Sequence, residues 1–280
     1  MSRTNEVVDN TSRYKDLTAG EEGRSREFVQ GLERGFAVIR AFSPDAPSLT
    51  IARVSERTGF TRAVARRYLF TLQTLGYVIQ NGDRFSLTPR LLDLGFTYLS
   101  TLDITSVVQP FMEQVTSTLH ESCSVSVLDG HEIVYVARRP AKRIMSINLA
   151  LGSRLPAHAT SMGKVLLAFL PPATLDQFFS SAELIKLTDH TVVDEVKLRA
   201  VLAEVRELCW AIANEETEYG VRSVAAPIFD REGEVHAALN VAGHATRVSL
   251  AQLRKDYLPI VLEAARGISE ALGAARRGSR

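Results

Sequence analysis

The chain has 280 residues, 45% of them hydrophobic and 23% charged, with a formal net charge of +1; that is the make-up of about two globular domains and excludes a disordered or fibrous chain. No apolar run reaches the roughly 18 residues of a membrane span, and the polar, acid-containing start does not read as a secretory leader, so the expected location is cytoplasmic. Cys123 and Cys209 are too few for a disulfide framework and form no Cys-x-x-Cys pair, which leaves them as reduced thiols.

The small net charge hides an uneven distribution. Residues 26–90 hold ten Arg and no Lys against Glu27, Glu33, Asp45, Glu56 and Asp83, a local excess of +5, whereas residues 1–25 and 91–280 sum to −1 and −3. A local excess of this kind is what phosphate binding needs.

Residues 1–25 lack apolar periodicity and read as a disordered tail. From Phe28, the positions Leu32, Phe36, Val38, Ile39 and Phe42 predict a helix that Pro44 and Pro47 end. Leu49, Ile51, Ala52 and Val54 predict a short second helix that closes at Gly59-Phe60. Thr61 is an N-cap for a third, whose apolar side is Ala63, Val64, Tyr68, Leu69 and Leu72 and whose stop is Gly76. Two β-prone runs, 77–80 and 84–87, flank Asn81-Gly82-Asp83, a strong hairpin signal. Helix, glycine turn, basic helix and hairpin in this order make a winged helix-turn-helix, assigned to residues 26–88. An arginine-rich face alone is usually solvated surface, but here it coincides with the groove-reading pattern. The candidate DNA contacts are Arg62, Arg66 and Arg67 in the major groove, with Thr61 and Arg84 at phosphates or the minor groove.

Pro89 then opens a linker helix over residues 89–102, in which Leu91, Leu92, Leu94, Phe96, Tyr98, Leu99 and Leu102 are dense enough to bury more than one face. Such a helix suits contact between protomers. A homodimer would set two reading helices about one duplex turn apart on a partly palindromic double-stranded operator. From residue 103 to 280 the pattern is mixed. A helix with Val107, Val108, Phe111, Val115 and Leu119 precedes strand-like runs at 124–128, 133–137, 144–149, 221–229 and 235–241, with helices over 161–170, 194–208 and 249–272. Strands joined largely by hairpins predict an antiparallel α+β domain.

Two blocks in this half carry a family likeness: Leu155-Pro156-Ala157-His158-Ala159-Thr160-Ser161-Met162-Gly163-Lys164, and the run from Ala211 to Ile228 that contains Asn214-Glu215-Glu216-Thr217-Glu218-Tyr219-Gly220-Val221-Arg222-Ser223. With them the chain resembles the IclR family of bacterial transcription regulators from about Phe28 to Leu272. The segment from Arg138 to Ser146 resembles the branch that controls breakdown of protocatechuate, catechol and 4-hydroxybenzoate through the β-ketoadipate pathway. One departure is Cys209 before Trp210, where the family often has glycine.

The resemblance implies a GAF/PAS-like α+β effector domain, in a dimer that can pair into a tetramer. The implied effector is a small carboxylic acid of the protocatechuate, 4-hydroxybenzoate, cis,cis-muconate or β-ketoadipate class, with RNA polymerase a further contact. The positions matching the family's pocket are Thr160, Ser161, Met162, Glu215, Ser223 and Asn240; His158, Arg143 and Met145 join them by their place in the sequence. Residues 159–163 enter a helix, where free N–H groups suit an anion. Each of these residues could equally be a cap or a hydrogen-bonded core group.

Enzymatic signals are absent. A phosphate-binding loop ending at Gly163-Lys164 would need Gly where His158 stands and Ser or Thr where Val165 stands. The histidines and cysteines make no closely spaced ligand set, and there is no Gly-x-Ser-x-Gly elbow. No cofactor and no metal are expected. The remaining alternatives are an IclR-type regulator of another carbon pathway, a winged-helix protein-docking module, or an enzyme acting on the C-terminal ligand.

Overall fold

The structure is a computed structural model that describes residues 28–94, 104–141 and 149–274. It divides into two compact units, Met1–Tyr98 and Leu99–Arg280. The expected tail over 1–25 lies outside the described residues. Of the expected linker helix, residues 91–94 are helical and 95–102 lie outside them.

The N-terminal unit runs α1 (Gln30–Arg40), β1 (Ser48–Thr50), α2 (Ile51–Thr58), α3 (Arg62–Thr74), β2 (Val78–Asn81) and β3 (Arg84–Leu87), with the strands in the order β1-β3-β2. Short polar side chains set the helix starts: Thr50 Oγ1 accepts from Arg53 N at 3.3 Å, and Thr61 Oγ1 from Val64 N at 3.4 Å. Gly59 ends α2 with a left-handed φ of 71°. After α3, Tyr77 N donates to Leu72 O and Gly76 N to Gln73 O, the paired bonds of a Schellman stop that Gly76, at φ 81°, makes without strain. The hairpin turn centres on Gly82-Asp83, because Asn81 pairs with Arg84 as the last rung of the ladder. Leu49 does not open α2, as its apolar character suggests; it pairs with Phe85 in the sheet, where both are buried. Val38, Val54, Ala65, Leu69 and Phe85 have no exposed surface, and the largest of them contribute about 1.5–3 kcal/mol each. Two further bonds tie the hairpin back to the helix: Thr88 Oγ1 donates to Gly76 O at 2.6 Å, and Thr88 N to Tyr77 O at 3.0 Å.

The C-terminal unit begins with α4 (Ile104–Leu119), β4 (Ser122–Asp129), β5 (Glu132–Arg139) and β6 (Arg154–Pro156). A 3-10 turn, Ala157–Ala159, leads into α5 (Ser161–Ala168), α6 (Pro172–Ser181) and α7 (Glu195–Leu208). Then follow β7 (Ala211–Asn214), β8 (Val221–Phe229) and β9 (Val235–His244). A C-terminal helical run passes through a π turn at Leu253–Tyr257 before α8 (Leu258–Ala271). The sheet order is β6-β5-β4-β9-β8-β7, antiparallel throughout. The single expected helix over 249–272 is therefore interrupted. Residues 144–148 of an expected strand lie outside the described residues, and Leu149 is in no strand.

Alternation along the strands assigns the faces. Cys123, Val125, Val224, Ala226, Leu239 and Val241 pack with α4 and α8 in one core. Burial in that core pushes the Cys123 thiol up to about 12, so it stays protonated. Ile133, Tyr135, Ala225 and Ala238 point the other way, against α5, α6 and α7. Ser124, Ser223 and Asn240 share this second face by parity and register. Among the described residues no helix is long and apolar enough to cross a membrane.

Cys209 caps α7 in the left-handed region, at φ 58° and ψ 31°, with its N–H on Val205 O. A β-carbon there meets the following carbonyl oxygen, at a cost of about 1–2 kcal/mol. Replacing Cys209 by Gly is expected to stabilise the protein by about 1 kcal/mol, read as a higher urea midpoint at unchanged slope; an unchanged or lower midpoint would contradict a strained cap.

Candidate functional site

Strand register brings a polar row together on the second face of the C-terminal sheet. Ser124 pairs with Arg138 of β5 on one side and with Asn240 of β9 on the other. These three line a small cavity with Tyr135, Thr160, Thr217 and Ser223, while Leu149, Leu155, Val221 and Ala242 supply apolar walls. Its open volume is about 30 Å³, well short of the ~300 Å³ at the lower end of small-molecule sites; an organic ligand has to widen it.

The polar groups of this cavity are incompletely satisfied. Arg138 Nη1 donates to Ser124 Oγ at 3.3 Å, and among the described residues no carboxylate pairs with its guanidinium. Burial pulls the Arg138 pKa down, an effect the nearby Tyr135 partly opposes. Burial likewise pushes the Tyr135 phenol up to about 12, which keeps it a neutral donor. Asn240 is 5% exposed, and its Oδ1 is buried without a hydrogen-bond partner among the described residues. An unpaired cation beside an unsatisfied amide is costly in a low-dielectric site and is the usual mark of a place that something else completes.

The residues of the first motif block divide between this cavity and the framework behind it. Thr160 lines the cavity, but its Oγ1 also caps α5 by accepting from Gly163 N at 2.9 Å. Ser161 Oγ lies 2.8 Å from Ser223 Oγ, a buried bond joining the two motif blocks. Met162 is buried under the sheet and its sulfur accepts from Ser126 Oγ at 3.2 Å. Gly163 is required by close approach, since a β-carbon there would fall 2.0 Å from Ala157 O. Next to it, Lys164 forms a buried ion pair with Glu216 Oε1, the side chains being 3% and 8% exposed. His158 is buried outside the cavity lining, and its Nε2 donates to Ile185 O at 3.0 Å. Burial holds its pKa below 6.5, against smaller opposing effects from Ile185 and Glu216.

Glu215 of the second block sits at φ 59° and is engaged within its own loop. Its carboxylate accepts from Gly220 N at 2.9 Å and from Arg222 at 3.1 Å. The Gly220 amide and, against some desolvation, the Arg222 charge hold its pKa below the usual glutamate value. Of the expected pocket residues, the structure thus gathers Thr160, Ser223 and Asn240 at the cavity, with Ser161 and Met162 directly behind. Arg143 and Met145 lie outside the described residues. Ser124, Tyr135, Arg138 and Thr217 were not expected; the signal that could have found them is the alternation of serines with apolar residues along 122–127, combined with strand register.

In the N-terminal unit, Arg62, Arg66 and Arg67 are exposed on one side of α3, and Thr61 is exposed at its start. Arg66 stacks over the Phe70 ring at 5.2 Å from the centroid. Arg62 and Arg67 make no ion pair among the described residues. Arg84 donates to Ser48 O at 3.1 Å, which fastens β3 to β1. Other arginines serve the fold: Arg57 donates to Ala41 O and Ser43 Oγ, and Arg53 pairs with Glu56.

A three-helix winged unit with an exposed basic reading helix, joined to an α+β unit with a polar cavity, defines a DNA-binding transcription regulator with a separate ligand-sensing half. Residues 31–82 match the IclR helix-turn-helix domain, and residues 96–270 match the bacterial transcriptional regulator IclR C-terminal domain. The chain belongs to the IclR family. It is similar to the Pca regulon regulatory protein of Pseudomonas putida, with 40% identity over 88% of this chain and 85% of that protein. It is 36% identical to the p-hydroxybenzoate hydroxylase transcriptional activator of Acinetobacter baylyi, over 87% of this chain and 92% of that one. An IclR homolog from Microbacterium hydrocarbonoxydans, solved in complex with 4-hydroxybenzoate, superposes with a TM-score of 0.77 at 26% identity, covering 86% of this chain and 98% of that one. The family and these relatives are regulators of transcription, not enzymes.

Two outcomes follow from the framework. Lys164→Met strands the buried Glu216 carboxylate and is expected to destabilise the protein by about 3–5 kcal/mol in urea unfolding, with part of the loss recovered when Glu216→Gln is added. For His158 the native state disfavours the proton, so below about pH 6.5 the unfolded chain binds a proton that the folded chain does not, and stability falls as pH drops. His158→Gln, which keeps a donor for Ile185, should flatten that fall in melting temperature between about pH 7.5 and 5.5.

Proposed function

We propose that the chain controls genes of aromatic acid breakdown by reading a partly palindromic operator as a homodimer, and that a small carboxylic acid bound in the cavity of the C-terminal unit sets its affinity for that DNA. The observation that carries the acid reading is Arg138, a partly buried cation that lines the cavity with no carboxylate beside it among the described residues. The likeness to regulators named for the Pca regulon and for p-hydroxybenzoate hydroxylase supports the pathway, and the 4-hydroxybenzoate complex of a homolog supports the ligand class.

Dimerisation is supported by the sequence of α1 and the residues before it. Val29, Leu32 and Phe36 are exposed large apolar side chains at helical spacing, a stripe that a second copy would cover. Pairing of dimers into a tetramer, and contact with RNA polymerase, belong to the same proposal. On DNA, Arg62 and Arg67, which make no ion pair among the described residues, are the cations offered by the reading helix, Arg66 adds a third held by Phe70, and Thr61 and Arg84 complete the contact set.

The test uses a duplex selected from a random-sequence pool by the wild-type protein. Arg62→Ala and Arg67→Ala are each expected to weaken binding by about 1–3 kcal/mol; the one that reads a guanine also relaxes preference at one base, and the one that holds a phosphate weakens all sequences alike. Saturating acid should change operator affinity by roughly 5–150-fold, as a coupling of 1–3 kcal/mol gives. Unchanged affinity in both variants would reject the reading helix, and equal affinity with and without acid would reject control through binding strength.

A further inference from the structure

We infer that Phe70 is a positioning residue for DNA reading: its ring holds the Arg66 guanidinium ready to meet a guanine, and takes its own rigidity from Phe85 in the wing. The inference rests on the reading helix proposed above and extends it to a side chain that carries no charge.

Along α3, Arg62, Arg66 and Phe70 follow one another at four-residue spacing and so share one line of the helix surface. All three are exposed, Phe70 with 38% of its surface open. The core side of the helix is filled by Ala65, Leu69 and Leu72, which leaves the Phe70 ring at the rim, in contact with two residues of opposite character. One is Phe85, with centroids 5.8 Å apart and planes at 78°. Phe85 has no exposed surface and lies in the middle strand of its sheet, opposite Leu49 on one side and Gln80 on the other. The ring is therefore anchored to a residue that cannot shift without disturbing the sheet.

The other contact is Arg66, whose Cζ stands 5.2 Å from the ring centroid, within the reach of a cation–π attraction. Helical side chains lean towards the N-terminus, so Phe70 extends back over the turn that carries Arg66. No Asp or Glu occurs in α3, and among the described residues Arg66 forms no ion pair. A carboxylate would restrain the guanidinium by occupying its N–H donors and offsetting its charge, the two properties that DNA needs from it. A ring restrains it and leaves both available. An arginine already held gives up less freedom on binding than a free one. Among the described residues Arg62 and Arg67 have no such support. Arg66 is thus the member of the three prepared for a base edge, which demands fixed geometry, whereas a mobile cation suffices at a phosphate.

The experiment is equilibrium titration of the full chain with a duplex selected from a random-sequence pool by the wild type, and with the single base-pair variants of that duplex. The proteins are the wild type, Arg66→Ala, Phe70→Leu, Phe70→Tyr and the double variant Arg66→Ala/Phe70→Leu. Arg66→Ala is expected to weaken binding at least ~10-fold and to flatten the preference at one G·C pair. Phe70→Leu keeps an apolar contact for Phe85 but lacks the ring, and should weaken binding roughly 3–10-fold while lowering the preference at that same pair. Phe70→Tyr restores the ring and should stay within about 2-fold of the wild type. In the double variant the Phe70 change should add nothing to the loss from Arg66→Ala, because it acts through that arginine. Additive losses, or a Phe70→Leu loss equal on every sequence, would mean a purely structural role and overturn the inference. So would wild-type binding by Phe70→Leu or by Arg66→Ala, and in that case losses in Arg62→Ala or Arg67→Ala leave the reading helix itself standing. Phe70→Met, a second ringless side chain with longer apolar reach, is titrated alongside, so that loss of the fold in Phe70→Leu does not shelter the inference. Failure of the wild type to enrich any duplex from the pool would remove the DNA reading on which the inference rests.

Discussion

The C-terminal unit depends on a clamp between two distant stretches of chain. Ser161 meets Ser223, and Lys164 meets Glu216, so the first turn of α5 is held to β8 and to the loop before it. Neither pair is cheap to form. A buried ammonium and carboxylate surrender strong hydration, which their mutual attraction repays only when geometry is good. Geometry is enforced from below by Gly163, whose lack of a side chain lets α5 press against the Ala157 backbone, and by the Thr160 cap that fixes where the helix begins. The result is a rigid floor beneath the cavity.

The sheet above that floor has one dry face and one mixed face. The side toward α4 and α8 is apolar along every central strand and supplies stability without directional demands. Toward α5 and α7 the same strands place Ser124, Arg138, Ser223 and Asn240 among hydrophobic neighbours. Polar groups in such surroundings have to be satisfied or they destabilise, and where they are left incomplete the low dielectric magnifies any partner that arrives. This polar row is thus obtained from the period-two geometry of the strands with few special residues.

The winged unit was readable because its signals are local. Thr61, Gly59 and Gly76 act within one turn of where they stand, and each does in the structure what its residue type suggests. Leu49 was misread for the opposite reason: a three-residue strand exists only because Phe85 pairs with it from 36 positions away, and Arg84 donates to its neighbour. In the C-terminal half, residues of the two motif blocks fall at the cavity and in the framework behind it. What they could not disclose was the division of labour, since capping, clamping and ligand contact use the same residue types. His158 and Glu215 are held by internal partners, whereas Ser124 and Arg138 belong to no motif block of the pocket and meet only through register. Cys209 shows the limit of reading by residue type: the chain takes the left-handed turn that favours glycine and accepts the strain.

The bonds from Thr88 back to Gly76 and Tyr77 have a consequence for how this regulator can be controlled. They close the hairpin onto the end of α3, so helix and wing form one stiff gauge. Such a gauge cannot be loosened by degrees. A change in grip on DNA therefore has to carry helix and wing together as a single body.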